Sequence, residues 1–376
     1  MGGLYIHVPF CLKKCRYCDF FSVTGRAAIP AYLTALLQEM DLREWDAGPF
    51  TTVFFGGGTP SLLRPEDVSC ILDRAGRVFG IAPNAEITLE ANPGTLTRQT
   101  LDGYRKAGVN RISLGIQSLD DANLQFLGRI HNSTQAAQAL EWAMTAGFDS
   151  VGCDLIYGIP GQTTQTWTWD MEAVLAYGPD HLSCYILTIE ESTPLGRMME
   201  QGQFIPLDEG RVGDLFLHTS DFLESRGFLH YEISNFARGD SNMCRHNLQY
   251  WNHAPYLGLG PASHSFSGTT RQWNVSDLEN YLVSLNAGKI PVEEAETLTQ
   301  TQHMLEWLYV GLRQAGGIGR QAFSERFGQD FLAIFGKEWK ILQDQSMARD
   351  LPDFFALTKK GLLFSDGVCQ FLANRL

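Results

Sequence analysis

No stretch of the 376 residues approaches the roughly 18 consecutive apolar residues that a helical membrane span needs, so no membrane span is expected. Charge is scarce: Asp, Glu, Lys and Arg make up 19% of the chain, against about 25% in ordinary globular proteins. Positive charge is scarcer still. The 29 Lys and Arg face 42 Asp and Glu, a formal −13. A protein that holds nucleic acid through its phosphates needs the opposite balance, so no nucleic-acid partner is expected. No Gly-Lys-Ser/Thr follows the one glycine run, which excludes a Walker loop. No Cys-x-x-Cys-His is present, so covalent haem attachment is not indicated. Internal repeats and low-complexity segments are absent too. Residues 1–10 have neither a basic start nor a long apolar core and read as a first strand, not a signal peptide. The expected location is cytoplasmic, where cysteines stay reduced and a cluster of them points to metal binding or catalysis.

What is present is a large core, with 44% apolar and 11% aromatic residues. Short β-branched runs alternate with amphipathic stretches. Strands are expected at Leu4–Val8, Thr51–Phe55, Glu86–Ala91, Arg111–Gly115, Ser150–Leu155 and His181–Ile189. Helices are expected near Ala28–Trp45, Pro65–Phe79, Leu96–Ala107, Asp121–Leu127, Thr134–Ala146, Thr164–Tyr177 and Asp208–Arg226. Six β-then-α units in series predict an α/β fold, a parallel sheet with right-handed crossovers. Glycines after the strands (Gly56–Gly58, Gly94, Gly115, Gly158) mark the end where such sheets bind ligands. Three regions are expected: 1–228, the β/α core; 229–298, a mixed, loop-like segment dense in His, Asn, Tyr and Trp; and 299–376, helices followed by a strand pair (Phe354–Leu357 with Leu362–Phe364) in a winged-helix-like pattern. The last region holds nine Lys/Arg and eight Asp/Glu. A net of +1 does not support DNA binding, and a lid or docking surface is the plainer reading.

Cys11, Cys15 and Cys18 form Cys-x3-Cys-x2-Cys directly after the first strand. Zinc usually wants a fourth protein ligand, and no second Cys or His pair stands nearby, His7 being the lone neighbour. A cubic four-iron cluster needs only the three thiolates and leaves its fourth iron open to a small molecule, which is how a metal centre becomes reactive. Phe10, Leu12, Tyr17, Phe20 and Phe21 flank the triplet and are expected to shield it from solvent. The other five cysteines (70, 153, 184, 244 and 369) are scattered, Cys70 and Cys153 in apolar contexts typical of buried inert thiols. Phe54-Phe55-Gly56-Gly57-Gly58-Thr59-Pro60 closes the second strand with backbone that a ligand can approach closely. Glu90, Gln117, Arg129 and Asp154 sit where later strands end or just beyond. Buried polar side chains at a barrel mouth are costly unless they meet a polar ligand or one another. Carboxylates suit ribose hydroxyls and an ammonium group, and Arg129 suits a carboxylate.

With these motifs in place, the sequence resembles the radical S-adenosylmethionine (SAM) superfamily, and within it the oxygen-independent coproporphyrinogen III oxidase family. The resemblance runs from Leu4 to the C-terminus. It implies a partial (β/α)6 TIM-like barrel, with Cys11, Cys15 and Cys18 holding a [4Fe–4S] cluster. SAM would be contacted by Tyr5, Tyr17, Gly57, Gly58, Thr59, Glu90, Gln117, Arg129 and Asp154. One electron from such a cluster cleaves SAM to a 5′-deoxyadenosyl radical. The resemblance also implies an electron donor such as a flavodoxin or ferredoxin, and it leaves open whether SAM is cleaved productively here and which catalytic residues would act.

Two departures point away from the oxidases. Cys18 is followed by Asp19 and Phe20 where oxidases carry a further Cys, and the first strand begins at about residue 3 without a long preceding extension. Both features resemble the sister group, the HemW-type haem chaperones. That group's His-Asn-x-x-Tyr-Trp signature stands here as His246-Asn247-Leu248-Gln249-Tyr250-Trp251. A neutral imidazole is a common axial ligand and aromatics can cover a macrocycle, so His246, Asn247, Tyr250 and Trp251 are candidates for haem b. A hydrogen-bonded structural role for His246 is the alternative. Cys244, His253 and His264 lie close by in sequence, the two histidines reading as structural. The resemblance implies delivery of haem to acceptor apoproteins and leaves room for a cluster-dependent homodimer. The alternative activities are oxidative decarboxylation of coproporphyrinogen III and a radical modification of the haem macrocycle.

Overall fold

The computed structural model describes residues 2–376. Its framework is a 12-stranded sheet. The first strands in chain order are β1 (Gly2–Val8), the short pair β2 (Phe10–Cys11) and β3 (Val23–Thr24), then β4 (Phe50–Gly57), β5 (Ile81–Ala91), β6 (Arg111–Gln117), β7 (Ser150–Tyr157) and β8 (His181–Ile186). In the large sheet β1, β4, β5, β6, β7 and β8 lie side by side and parallel. The six expected units therefore build six neighbouring parallel strands. The sixth stops at Ile186, three residues before its expected end.

Side-chain alternation explains why these strands form a partial barrel with a usable interior. On β6, Ile112, Leu114 and Ile116 are fully buried among the apolar core. The alternate residues Arg111, Ser113, Gly115 and Gln117 point the other way, as the period of two requires. Outside, crossover helices cover the strands. Thr97, Asn132, Thr163 and Asp208 each cap a helix by accepting from the backbone N–H three residues on, which satisfies an otherwise orphaned donor.

Residues beyond 228 continue the same sheet at both edges. Strands β9 (Leu229–Glu232) and β10 (Asn235–Ala237) extend it beyond β8. Strands β11 (Tyr256–Leu259), β12 (His264–Phe266), β13 (Thr270–Asn274) and β14 (Val292–Thr297) extend it beyond β1. Strand β11 pairs with β1 in parallel, Leu4 opposite Leu257. The segment expected to be loop-like contains a helix, Arg245–Trp251. The Glu86 carboxylate accepts from the backbone N–H of Arg245 at 3.1 Å and of His246 at 2.9 Å. This cap comes from a distant strand, so no local pattern announces the helix.

The C-terminal part holds helices Gln300–Gly311, Arg320–Phe327 and Phe331–Asp344 and a three-stranded antiparallel sheet. That sheet comprises β15 (Ile318–Gly319), β16 (Ala348–Asp350) and β17 (Phe354–Leu357) in the order β15-β17-β16. Phe354–Leu357 is a strand as expected, but Leu362–Phe364 is not its partner. Leu362 and Leu363 belong to the helix Lys359–Leu363, whose start Thr358 caps by accepting from the Gly361 N–H at 3.1 Å. The aromatic rings of Phe323, Phe331, Trp339 and Phe355 fill this region's core. Among the described residues no helix is long and apolar enough to cross a membrane.

Candidate cofactor site

The cysteine loop leaves β1 through Pro9. It is pinned by the β2–β3 pairing, Phe10 opposite Val23 and Cys11 opposite Thr24. Arg16 anchors its middle, donating its backbone N–H to the Leu127 carbonyl at 3.1 Å and its guanidinium to the Phe126 carbonyl at 3.1 Å. Cys11, Cys15 and Cys18 all line one cavity of about 510 Å³ at the C-terminal ends of the barrel strands. Cys11 Sγ accepts from Thr59 Oγ1 at 3.5 Å, and Cys15 Sγ from Arg129 Nη1 at 3.3 Å. Burial raises the Cys18 thiol, and the nearby Cys15 and Cys11 raise it further. Among the described residues no three His, Cys, Asp or Glu side chains converge on a single-ion site. The thiols share a cavity without forming the tight tetrahedron of one zinc ion. The expected apolar shield is incomplete: Leu12 is 41% and Phe20 68% exposed. Cys70, expected to be buried, is exposed, while Cys153 is buried.

The same cavity is lined by Tyr17, Gly57, Gly58, Thr59, Glu90, Gln117, Arg129 and Asp154. Gly57 has φ +104°, and a Cβ there would sit 2.6 Å from the His7 ring. Only glycine allows that backbone past His7. Arg129 donates to the Gly115 carbonyl at 2.8 Å and the Tyr17 hydroxyl at 3.4 Å. Burial, reinforced by Asp154, pushes the Glu90 carboxyl up to about 8. Asp154 is also raised by burial, although the Ser113 hydroxyl donates to it at 3.0 Å. Gln117 is held at φ +68°, where a side chain is strained. Its Oε1, like Arg129 Nε, is buried without a partner.

Tyr5 does not line this cavity. Its hydroxyl donates to His7 Nδ1 at 3.2 Å, and His7 Nε2–H donates to the Phe21 carbonyl at 2.9 Å. The relay bridges the barrel interior and the cysteine loop. His7 thus serves as a brace, and Ser113 as a carboxylate partner that sequence reading missed. The inward-facing alternation on β6 was the signal that marks Ser113.

The His-Asn-x-x-Tyr-Trp residues lie elsewhere. The helix Arg245–Trp251 closes the barrel at the N-terminal ends of the strands, where Arg245 donates to the Thr51 carbonyl, and none of its residues lines the cysteine cavity. His246 is fully buried. Its Nδ1 is 2.7 Å from Thr52 Oγ1 and its Nε2 3.0 Å from the Tyr250 hydroxyl. Its ring stacks on Phe54 at 5.0 Å and on Tyr5 at 6.4 Å. Both ring nitrogens are engaged, and burial pushes its pKa down to about 3. Tyr250 and Trp251 face two different cavities outside the barrel, and Asn247 is half-buried. Cys244 is buried against Glu86, and the His264 ring stacks on Trp273.

Residues 5–174 match the radical SAM superfamily and residues 298–364 the HemN C-terminal domain. The chain is 30% identical over 372 residues to the heme chaperone HemW of Bacillus subtilis, covering 98% of both chains. It is 36% identical to the heme chaperone HemW of Mycobacterium tuberculosis, over 98% of this chain and 94% of that one. The chain belongs to the HemW family of radical SAM proteins. Another relative, the mitochondrial radical S-adenosyl methionine domain-containing protein 1 of Bos taurus, is 34% identical over all of this chain and 88% of its own. The fold matches coproporphyrinogen III oxidase (HemN) from Escherichia coli with a TM-score of 0.84 at 23% identity, over 100% of this chain and 90% of that chain. The α/β radical SAM core is thus the one expected from the sequence.

A radical SAM domain implies a [4Fe–4S] cluster and SAM, and the donor set fits them. Three thiols share one cavity with a glycine-lined backbone, the carboxyl groups of Glu90 and Asp154, and the Arg129 guanidinium. The orphaned Gln117 Oε1 and Arg129 Nε are the kind of buried polar atoms that a polar ligand satisfies.

Proposed function

We propose that this chain is a haem chaperone, taking up haem b and passing it to acceptor apoproteins. The observation that carries the reading is the near end-to-end likeness to heme chaperones of several bacteria, across the radical SAM core, the middle segment and the C-terminal region alike. The run Cys18-Asp19-Phe20, without the oxidases' additional Cys, supports it. Coproporphyrinogen decarboxylation stays the weaker reading, because the oxidase likeness is one of fold.

In this proposal Cys11, Cys15 and Cys18 hold the cluster. The backbone of Gly57 and Gly58, with Thr59, receives the methionyl ammonium of SAM, and Arg129 its carboxylate. Glu90, Gln117 and Asp154 meet the remaining polar groups of SAM, Tyr17 closes one side, and Tyr5 braces the barrel through His7. A bound cluster of this kind supplies one-electron reduction of SAM. Around it the chain keeps Arg129 beside Cys15 and holds Glu90 largely protonated until a cation arrives. His246 and Asn247 keep the floor of the barrel closed, with Tyr250 and Trp251 reaching from it toward the outer cavities.

The division at 228 and 298 is proposed as one of labour: cofactors in 1–228, the floor and haem-facing turn in 229–298, a cover in 299–376. Exposed Lys13 and Lys14 at the cavity mouth suit an acidic electron donor such as a flavodoxin or ferredoxin. Exposed Leu12 and Phe20 beside the cluster loop suit a cluster-dependent homodimer. A cytoplasmic location is part of the same proposal. Anaerobic reconstitution with iron and sulfide, followed by haemin titration, tests the function. One Soret-active haem per chain, transferable to an apoprotein, is expected. No stoichiometric complex, or turnover of coproporphyrinogen III at enzymatic rate, overturns it.

A further inference from the structure

A cavity of about 660 Å³ lies outside the barrel, between the turn that follows Trp251, the helix Gln300–Gly311 and the C-terminal helix Ser365–Ala373. That volume falls in the usual range for cofactor-sized ligands, about 300–1,000 Å³. Its walls are mostly apolar, with the flat rings of Tyr250, Tyr256, Phe266 and Tyr309. Flat aromatic walls suit a planar macrocycle. The polar side chains, besides the tyrosine hydroxyls, are His253, Arg271, Glu306, Gln370 and Asp366, the last paired with Arg313. Arg271 pairs with Glu306, and the Arg271 side chain is 31% exposed, at the rim. A cation at the rim of an apolar slot matches a ligand whose body is flat and greasy and whose carboxylates stay near water.

His253 is the imidazole in this wall. It is 7% exposed and sits at φ +53°, in the turn that ends the helix Arg245–Trp251, where its N–H donates to the Tyr250 carbonyl and the Ala254 N–H to that of Gln249. Its contacts differ from those of His246. Nε2 approaches Glu306 Oε2 only at 3.3 Å, and Nδ1 approaches Arg326 Nη2 only at 3.5 Å, both near the limit of a hydrogen bond. Giving up the first leaves Glu306 still paired with Arg271. Giving up the second leaves Arg326 on His303 Nε2 at 3.1 Å. Burial, with help from Arg326, pushes His253 down to about 3, so the ring is neutral at neutral pH; its Nε2–H faces the Glu306 carboxylate, and iron at Nε2 requires that proton to pass to Nδ1 as Arg326 turns to His303. Tyr250 ties this cavity to the barrel floor, since its hydroxyl meets His246 Nε2.

We propose that this outer cavity is where haem sits, with His253 Nε2 as the iron donor and Arg271 meeting a propionate. The inference rests on the haem-chaperone reading. It moves the iron ligand from the fully engaged His246 to the loosely held His253 seven residues on. Cys369 and the tyrosines of the wall are the competing donors.

The test uses the full-length, cluster-reconstituted protein with two probes: haemin, followed by its Soret band, and metal-free protoporphyrin IX, followed by fluorescence. His253→Ala is expected to shift the Soret band and weaken haemin binding about tenfold or more, while protoporphyrin IX still binds. Ala373→Trp fills the cavity and is expected to weaken both probes about tenfold or more, with iron content and thermal midpoint kept. Cys369→Ala is expected to leave the Soret position unchanged. A wild-type Soret position in H253A removes the donor, and wild-type affinity in A373W removes the cavity. In both cases the wild-type protein still binds haemin, so the chaperone reading survives. A wild-type protein that binds no haemin overturns that reading itself.

Discussion

Replacing His246 with alanine tests whether the buried histidine pins the fold or carries haem. The ring sits against Phe54 at 5.0 Å and Tyr250 at 5.0 Å, so its loss opens a hole of the kind that costs about 2–5 kcal/mol in buried positions. Thr52, fully buried, loses its side-chain partner, a further cost of about 1–3 kcal/mol. Tyr250 borders a cavity and can turn to water, so it adds little. The sum is about 4 kcal/mol, large beside the roughly 5–15 kcal/mol that holds most proteins folded, yet survivable. At about 2 °C per kcal/mol for a chain of this size, the melting midpoint should drop by about 8 °C. The assay is near-UV circular dichroism against temperature at pH 7.5, with haemin titrated in parallel well below the midpoint. The expected result is a less stable protein whose Soret band is unmoved. A midpoint within about 2 °C of wild type together with a lost Soret band would refute the reasoning, because it would make His246 a ligand and not a pin.

Alanine at any one of Cys11, Cys15 or Cys18 should leave the fold intact by circular dichroism and abolish iron retention after anaerobic reconstitution; full iron in all three variants would remove the cluster assignment. Gly57→Ala puts a methyl 2.6 Å from the His7 ring at φ +104°, a cost of about 2 kcal/mol or more, so both SAM affinity by calorimetry and the melting midpoint should fall. Wild-type values for both would show that His7 yields freely. Burial holds His131 and His230 near 4 and His246 and His253 near 3. The unfolded chain takes up those protons below about pH 6.5, so their contribution is complete above that pH and is lost as pH falls toward 3–4. Buried Glu232, raised to about 7, and Glu90 act the other way in this window, so the histidine part is read by difference: between pH 7.5 and 5 the midpoint of wild type should fall relative to that of His230→Asn, and a pH-independent gap would contradict the burial. Glu90 has the opposite sign. Held near 8, it keeps a proton that the unfolded chain releases above about pH 4.3, so its contribution declines as pH rises toward 8. Glu90→Gln should therefore gain on wild type between pH 6 and 9, and a pH-independent gap would rule this out.

Much of the fold is legible in the sequence. The parallel core was readable because Leu4–Val8 or Arg111–Gly115 can only be strands, and Thr97 or Thr163 marks a helix start through its own side chain. That these residues share one cavity is legible because Cys11, Cys15, Cys18 and the Gly56–Gly58 run are local signals, and Glu90, Gln117 and Asp154 stand at strand ends. What stayed hidden was set by distant partners. The helix Arg245–Trp251 begins where Glu86, some 160 positions earlier, receives its first amides. The Leu362–Phe364 run looks like a strand, but the Thr358 cap turns it into a helix. Leu12 and Phe20 look like a shield, yet the tight β2–β3 pairing leaves them facing outward. In one dimension His246 stands out through its motif and His253 reads as structural. Only their surroundings separate a ring with two short bonds from one with two long ones.

The pairing of β1 with β11 sets a timetable for synthesis. The thiol loop hangs from β1, which is made long before its outer neighbour, Tyr256–Leu259. At about 5–20 residues per second, the nascent chain waits roughly 10–50 s between the two. Until then one border of the sheet stays open to any passing strand, and iron–sulfur loading has no finished cradle. A fragment ending at 228 would keep that border open permanently, along with the one at β8. The late segment thus acts as a selvedge, closing the fabric on both sides.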